Sequence, residues 1–210
     1  MSEEHWYRNT DWTPDIEAAF DAKLARTRSQ KAQYLRIQGS ILKNSHPKVA
    51  LALFQRCIDL GDEYHIAHAH LDSGHAHLML DDVDAALASL EAAMEQERRF
   101  PMFRTGAPFS YCFLVGCFRR DERYDAALAI LDGLGSGPFA STDFEAQAAR
   151  ALILWERGRL DEARDAADEA LAAASVEVGW VPGHPDVGIV PSLVGQPLGQ
   201  RLADIAALRG

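Results

Sequence analysis

Apolar and polar positions follow a helical period along most of the chain. Ile16, Phe20 and Leu24 recur at i+4 and predict a helix with a narrow apolar stripe. Thr13-Pro14-Asp15 supplies its start: a hydroxyl to cap the first turn, a proline at the first helical position, and an acid at the positive helix end. Next comes a helix holding Tyr34, Ile37, Gln38 and Ile41. After His46-Pro47 follows another holding Ala50, Phe54 and Cys57. The stretch from His70 to Ala93 reads as two helices back to back, with His70, Ser73, Gly74 and His77 before the turn Asp81-Asp82 and Ala86, Leu90 and Ala93 after it. The same form returns with Tyr111, Leu114, Val115 and Phe118 before Ala127, Leu131 and Leu134. It returns again with Gln147, Arg150, Ala151 and Leu154 before Ala163, Ala167 and Ala170.

The small residues Ala50, Ala86, Ala127 and Ala163 are 36, 41 and 36 residues apart. The long middle interval contains Arg98–Ala107, where Pro101 and Gly106 mark an inserted loop. Leu134-Gly135-Ser136-Gly137-Pro138 breaks the chain again, Thr142-Asp143-Phe144-Glu145 has the pattern of a capping box, and Gly158 fits a helix stop. From Ser175 to Pro197 the chain is rich in Val, Gly and Pro, unsuited to helix and too apolar for a free linker. It is expected to lie extended across the protein, before Leu198, Leu202 and Ile205 form a final amphipathic helix. The aromatic lead-in Trp6, Tyr7 and Trp12 is expected to pack onto the body.

Charge narrows the range of partners. The net charge is −10, distributed unevenly: residues 1–50 hold eight Lys/Arg against six Asp/Glu, residues 51–210 thirteen Arg against twenty-five. An acidic body disfavours nucleic acid and anionic membrane surfaces and suits a basic partner. Three cysteines, Cys57, Cys112 and Cys117, lie in apolar helical patterns without metal-ligand spacing, which predicts buried thiols in a reducing compartment. No apolar signal core precedes residue 12 and no apolar run is long enough to span a bilayer. The expectation is a cytoplasmic, bacterial protein.

The order of small and large positions in Gly74, Ala86, Leu90 and Ala93, and the stretch RGRLDEARDAADEAL at 157–171, resemble the tetratricopeptide (TPR) repeat, whose unit is about 34 residues. The segment WYRNTDW resembles the start of a group of small, uncharacterised bacterial TPR-like proteins. The glycine of the first helix is present only as Gly74, with Gln38, Val115 and Ala151 read at the corresponding places, and His70 and Gln147 replace the large first aromatic. The resemblance implies an all-α, right-handed α-solenoid of about four TPR-like helix pairs. Their spans are about 31–62, 67–98, 108–137 and 144–175. An N-terminal lead-in and capping helix (1–30) precedes them, and an extended segment with a final capping helix (176–210) follows.

In such a solenoid the first helix of each pair lines the concave face. In this register the lining residues are Leu35 and Lys43, then His68, Leu71, His75 and Met79, then Phe109, Arg119 and Arg120, then Glu145, Leu152 and Trp155. Their mixture of apolar and polar character suits an extended or helical peptide, with Met79, Phe109 and Trp155 as anchors. The extended tail is itself a candidate occupant.

Five histidines fall within 65–77. His68, Asp72 and His75 form one stripe, but His68 and His75 are two turns apart, about 10 Å, too far to share an ion. The leading reading gives His70 and His77 packing roles and His68 and His75 polar contacts, ahead of a metal site or a pH-sensitive interface. No phosphate loop, nucleophile elbow or zinc-protease signature is present. The sequence therefore points to a non-catalytic scaffold for a protein or peptide partner, with no cofactor. An immunity- or inhibitor-type protein neutralising a basic partner and a His-dependent metalloprotein stand behind it, and the oligomeric state is left open.

Overall fold

A computed structural model describes residues 5–207. Among them there are ten α-helices and no strand: α1 (Pro14–Arg26), α2 (Lys31–Leu42), α3 (Pro47–Asp59), α4 (Glu63–Leu78), α5 (Val83–Arg99), α6 (Ala107–Cys117), α7 (Tyr124–Gly133), α8 (Ala140–Glu156), α9 (Leu160–Ala174) and α10 (Pro197–Ala206). A 3-10 turn, Asp121–Arg123, leads into α7. None of these helices is long and apolar enough to cross a membrane. The chain forms two compact units dividing between Ala107 and Pro108.

In the first unit α2 packs on α3, α3 on α4 and α4 on α5, while α2 also meets α4. The lead-in docks on α2 through both apolar and polar contacts. Trp6 lies 5.3 Å from Phe20 and 5.0 Å from Tyr34, Tyr7 lies 4.5 Å from Tyr34, and Trp12 lies 5.5 Å from Phe20, all between ring centroids. Asn9 donates from its backbone and its side chain to Gln38 Oε1, and Gln38 Nε2 donates back to the Asn9 carbonyl at 2.7 Å. Gln38 is wholly buried, so these bonds replace those it would make to water. The Thr13 hydroxyl accepts from Ile16 N and caps α1, whose Phe20 and Leu24 join the core with Leu35, Leu42, Leu53 and Phe54.

The glycine register of the first pair differs from the sequence reading. The position against the second helix is Gly39, not Gln38. A Cβ on Gly39 would fall 2.5 Å from the Phe54 ring, and one on Gly74 would fall 3.1 Å from Leu90. Both helix pairs thus use glycine for backbone approach, eleven residues before Ala50 in one and twelve before Ala86 in the other. Phe54 is fully enclosed and cannot retreat. Gly39→Ala is therefore expected to destabilise the protein by about 2 kcal/mol through overpacking. A Cβ on Gly74 is less severe: at 3.1 Å from Leu90 and 3.3 Å from the Ala86 carbonyl it requires Leu90 to give by a few tenths of an ångström, a cost that a helix-propensity gain of about 1 kcal/mol offsets in part, so Gly74→Ala is expected to destabilise less than Gly39→Ala. Urea denaturation of the two variants side by side checks the difference.

The second unit packs α8 against α7, α9 and α10, and α9 against α10. Its core holds Phe144, Ala148, Leu152, Leu154, Ala163, Ala167, Ala170, Leu202 and Ile205. Gly116 brings α6 close to α8, where a Cβ would sit 3.3 Å from Ala149. Helix α8 starts earlier than the Thr142 pattern suggested. Thr142 lies inside the first turn, where its hydroxyl accepts from Phe139 N and donates to the Phe139 carbonyl. Gly158, at φ 71°, ends α8 as expected.

The Val/Gly/Pro-rich segment is only partly covered. Val190 is buried in the core of the second unit, and the Gly188 carbonyl accepts from Ser141 N at 2.8 Å. Trp180 stacks on Phe139 and donates Nε1–H to the Pro138 carbonyl, yet it stays 69% exposed, and Val178 and Val194 are also exposed. The segment fastens to the start of α8 and to the core around α10. Its sequence is more apolar than its burial requires.

Candidate functional site

Helices α2 and α4 share a strip of charged and titratable side chains in the first unit. Arg36 comes from the middle of α2 and Lys43 from its C-terminal cap; α4 contributes His68, Asp72 and His75. Asp72 is the hub. Its Oδ1 accepts from Lys43 Nζ at 2.7 Å, and its Oδ2 lies 3.9 Å from Arg36 NH1. The Asp72 side chain is 11% exposed, against 25% for Arg36 and 22% for Lys43, so the pairs are largely withdrawn from water.

One carboxylate serves two cations, and the histidines beside it are held neutral. Burial lowers the pKa of His68, Arg36 lowers it further, and Asp72 and Glu97 oppose the shift. Burial likewise lowers that of His75, with Lys43 adding and Asp72 opposing. His65, nearly enclosed, is lowered by burial and by Arg36 against the pull of Asp62. Among the described residues, Arg36 Nε and His65 Nδ1 are buried without a hydrogen-bond partner, while His68 has the backbone of Tyr64 beside it, one turn earlier on α4. A buried donor left unsatisfied costs about 1–3 kcal/mol. At the strip's edge Tyr64 stacks on His68 and meets Phe103 edge-on, yet is 56% exposed.

Of the residues expected on this face, Lys43, His68, Leu71 and His75 are half-buried and Met79 is exposed. Leu35 is enclosed in the core and offers no surface. The register explains this: placing Gly39 opposite Gly74 puts Arg36 opposite Leu71 and Ser40 opposite His75. Arg36, Ser40 and Lys43 are spaced i, i+4, i+7, as are His68, Asp72 and His75. That matching spacing is the signal that would have brought Arg36 into the site.

In the second unit the expected residues divide differently. Leu152 and Phe109 are buried, and Trp155 packs half-buried against the core that includes α10. Arg119, in the left-handed region at φ 51°, is exposed and lies 3.2 Å from Glu156. Arg120 is half-buried. Glu145 on α8 accepts from the Ser110 hydroxyl of α6 at 2.9 Å. Its carboxyl group is more enclosed than the residue as a whole. Burial pushes its pKa up to about 7, and the Ser110 bond only partly opposes this. A separate cleft of about 460 Å³ in the second unit is lined by Arg119, Asp121, Tyr124, Glu156 and Arg157.

The cysteines carry no exposed thiolate. Cys57 donates to the Ala32 carbonyl and Cys112 to that of Ala127; burial pushes all three thiols up to about 12. Among the described residues no three His, Cys, Asp or Glu side chains are arranged to hold a metal ion. No family model matches the chain, and no curated protein or solved structure is significantly similar to it.

Proposed function

We propose that this chain is a non-catalytic binding module, built from TPR-like helix pairs arranged as a solenoid, that holds a protein or peptide partner on the faces of its first helices. The observation that carries the reading is the α2/α4 strip. Four charged or titratable side chains, Arg36, Lys43, His68 and His75, surround the Asp72 carboxylate there, and Arg36 keeps a buried nitrogen unpaired. A strip optimised for stability alone would be apolar, because well-packed hydrophobic groups match or exceed a buried ion pair. A partner supplying hydrogen-bond acceptors and apolar contacts to Tyr64 and Met79 accounts for the polar groups being there. Leu35, Leu152 and Phe109 drop out of the surface and serve as support.

The free, high-pKa thiols fit a cytoplasmic setting, and the net charge of −10 fits a protein partner better than nucleic acid. The test is affinity capture from the native organism with the wild-type chain and with Arg36→Gln/Lys43→Gln. The double variant keeps α2 helical and removes both cations. The expected result is one partner enriched by wild type and reduced at least about tenfold by the variant, a loss near 1.4 kcal/mol. Equal enrichment by both counts against the strip.

A further inference from the structure

We infer that the cleft between α7, α8 and α9 of the second unit is a site for a small linear aliphatic diamine or polyamine, with one ammonium held at Glu169 and another at Asp143. The site is apart from the α2/α4 strip and does not depend on the chain's being a binding module.

The cleft has a volume of about 460 Å³, the size of a small-ligand site. Helix α8 lines it with Asp143, Gln147 and Arg150, spaced i, i+4 and i+7, while α9 brings Glu169 and the end of α7 brings Leu131 and Leu134. Its charge is unbalanced. Arg150 is committed to Asp132 at 2.8 Å. Asp143 accepts the Gly137 backbone N–H through Oδ1 at 2.6 Å, and Glu169 is exposed. Among the described residues, neither Asp143 nor Glu169 has a cation within salt-bridge distance. Arg150 and Asp132 cancel, so the cleft carries two uncompensated negative charges.

The helix ends add to this field. Leu131 and Leu134 mark the C-terminal end of α7, and Ala172 and Ala173 lie in the last turn of α9; neither last turn holds a basic residue. The carbonyls of both ends carry partial negative charge that no basic side chain in their own last turn answers. An anion is repelled from such a cleft, and a single ammonium satisfies one acid and leaves the other.

The spacing of the acids calls for two cationic ends. Helices α8 and α9 run antiparallel about the turn at Gly158, with Asp143 fifteen residues before that glycine and Glu169 eleven after it. The difference of four residues displaces the two acids by about 6 Å along the helices. Gln147, eleven residues before Gly158 and so level with Glu169, adds an amide carbonyl for the same ammonium. Leu131, Leu134, Ala146 and Ala172 give apolar surface to the methylene chain between the ends.

The test is titration calorimetry of the full-length protein with diaminobutane and diaminohexane, each beside the monoamine of the same chain length. The expected result is that one diamine binds at least about tenfold tighter than its monoamine. Glu169→Gln and Asp143→Asn, the second keeping an acceptor for Gly137, should each weaken that diamine about tenfold and bring it level with the monoamine. Asp168→Asn removes the same charge from the neighbouring exposed position of α9, outside the cleft lining, and should leave binding nearly unchanged. Three results each overturn the assignment: a diamine binding no tighter than its monoamine, binding undiminished by Glu169→Gln and Asp143→Asn, or an equal loss with Asp168→Asn. The last would show attraction to the acidic surface as a whole. The strip variants lie in the other unit, so each of these outcomes leaves the Arg36/Lys43 capture result standing on its own.

Discussion

Replacing Asp72 with alanine is expected to cost the first unit about 3 kcal/mol, far more than the 0–1 kcal/mol of an exposed ion pair. The difference lies in where the charges are left. Lys43 and Arg36 are each no more than a quarter exposed, and Asp72 is the acid they share. Without it two cations of α2, Arg36 and Lys43, are left against α4 with no counter-charge from Asp72, beside histidines whose pKa values burial lowers. Among the described residues, Asp72 is the acid within salt-bridge distance of both cations. Truncating Lys43 to methionine in the same chain removes one of the stranded charges while keeping its apolar stem, so the double variant is expected to recover a substantial part of the loss. A double-mutant cycle by urea denaturation measures this directly. A loss below about 0.5 kcal/mol for Asp72→Ala would show the strip to be as well solvated as an ordinary surface.

The two units are expected to respond to pH in opposite directions. In the first, His65, His68, His70 and His75 all have pKa values lowered from 6.5 by burial. The unfolded chain binds protons that the folded chain refuses, so stability is full above about 6.5 and falls as pH drops below it. In the second, Glu145 is raised from 4.5 to about 7. There the folded chain keeps a proton that the unfolded chain has lost, so stability falls as pH rises between those values and is lowest above them. The Glu145 contribution is on the order of 3 kcal/mol. Glu145→Gln should therefore stabilise the second unit above neutral pH and flatten its dependence, leaving the first unit unchanged. The four tryptophans divide for this purpose: Trp6 and Trp12 report on the first unit, Trp155 and Trp180 on the second. Fluorescence-monitored denaturation of variants retaining one pair at a time reads each slope separately. Parallel slopes in the two units would contradict the assignment of these groups.

The helices were readable because their apolar stripes and stops are local properties. Thr13-Pro14, Asp82 and Gly158 act at the positions where their chemistry is needed, whether or not the rest of the chain is known. The site was read less well, for two physical reasons. A one-residue difference between Gly39 and Gln38 rotates α2 by about 100°, which exchanges Leu35 for Arg36 on the shared face. The second reason is that burial is set by neighbours distant in sequence. Leu152 and Phe109 have the composition of groove anchors, but the packing of the second unit encloses them. Glu145 was placed on the lining from its register alone. Its distinguishing property, an enclosed carboxyl accepting from Ser110, comes from a residue 35 positions away and has no local signature.

The most direct measurement is site-specific photo-crosslinking in the native organism, with a photoreactive amino acid at Ser40, between Arg36 and Lys43 on α2. Controls are placed at Ala52 on α3 and Ala88 on α5, both exposed. A partner held on the α2/α4 strip gives one discrete heavier species from Ser40 and none from the controls. Adducts at Ala52 or Ala88 with none at Ser40 would place the binding surface elsewhere and contradict the assignment.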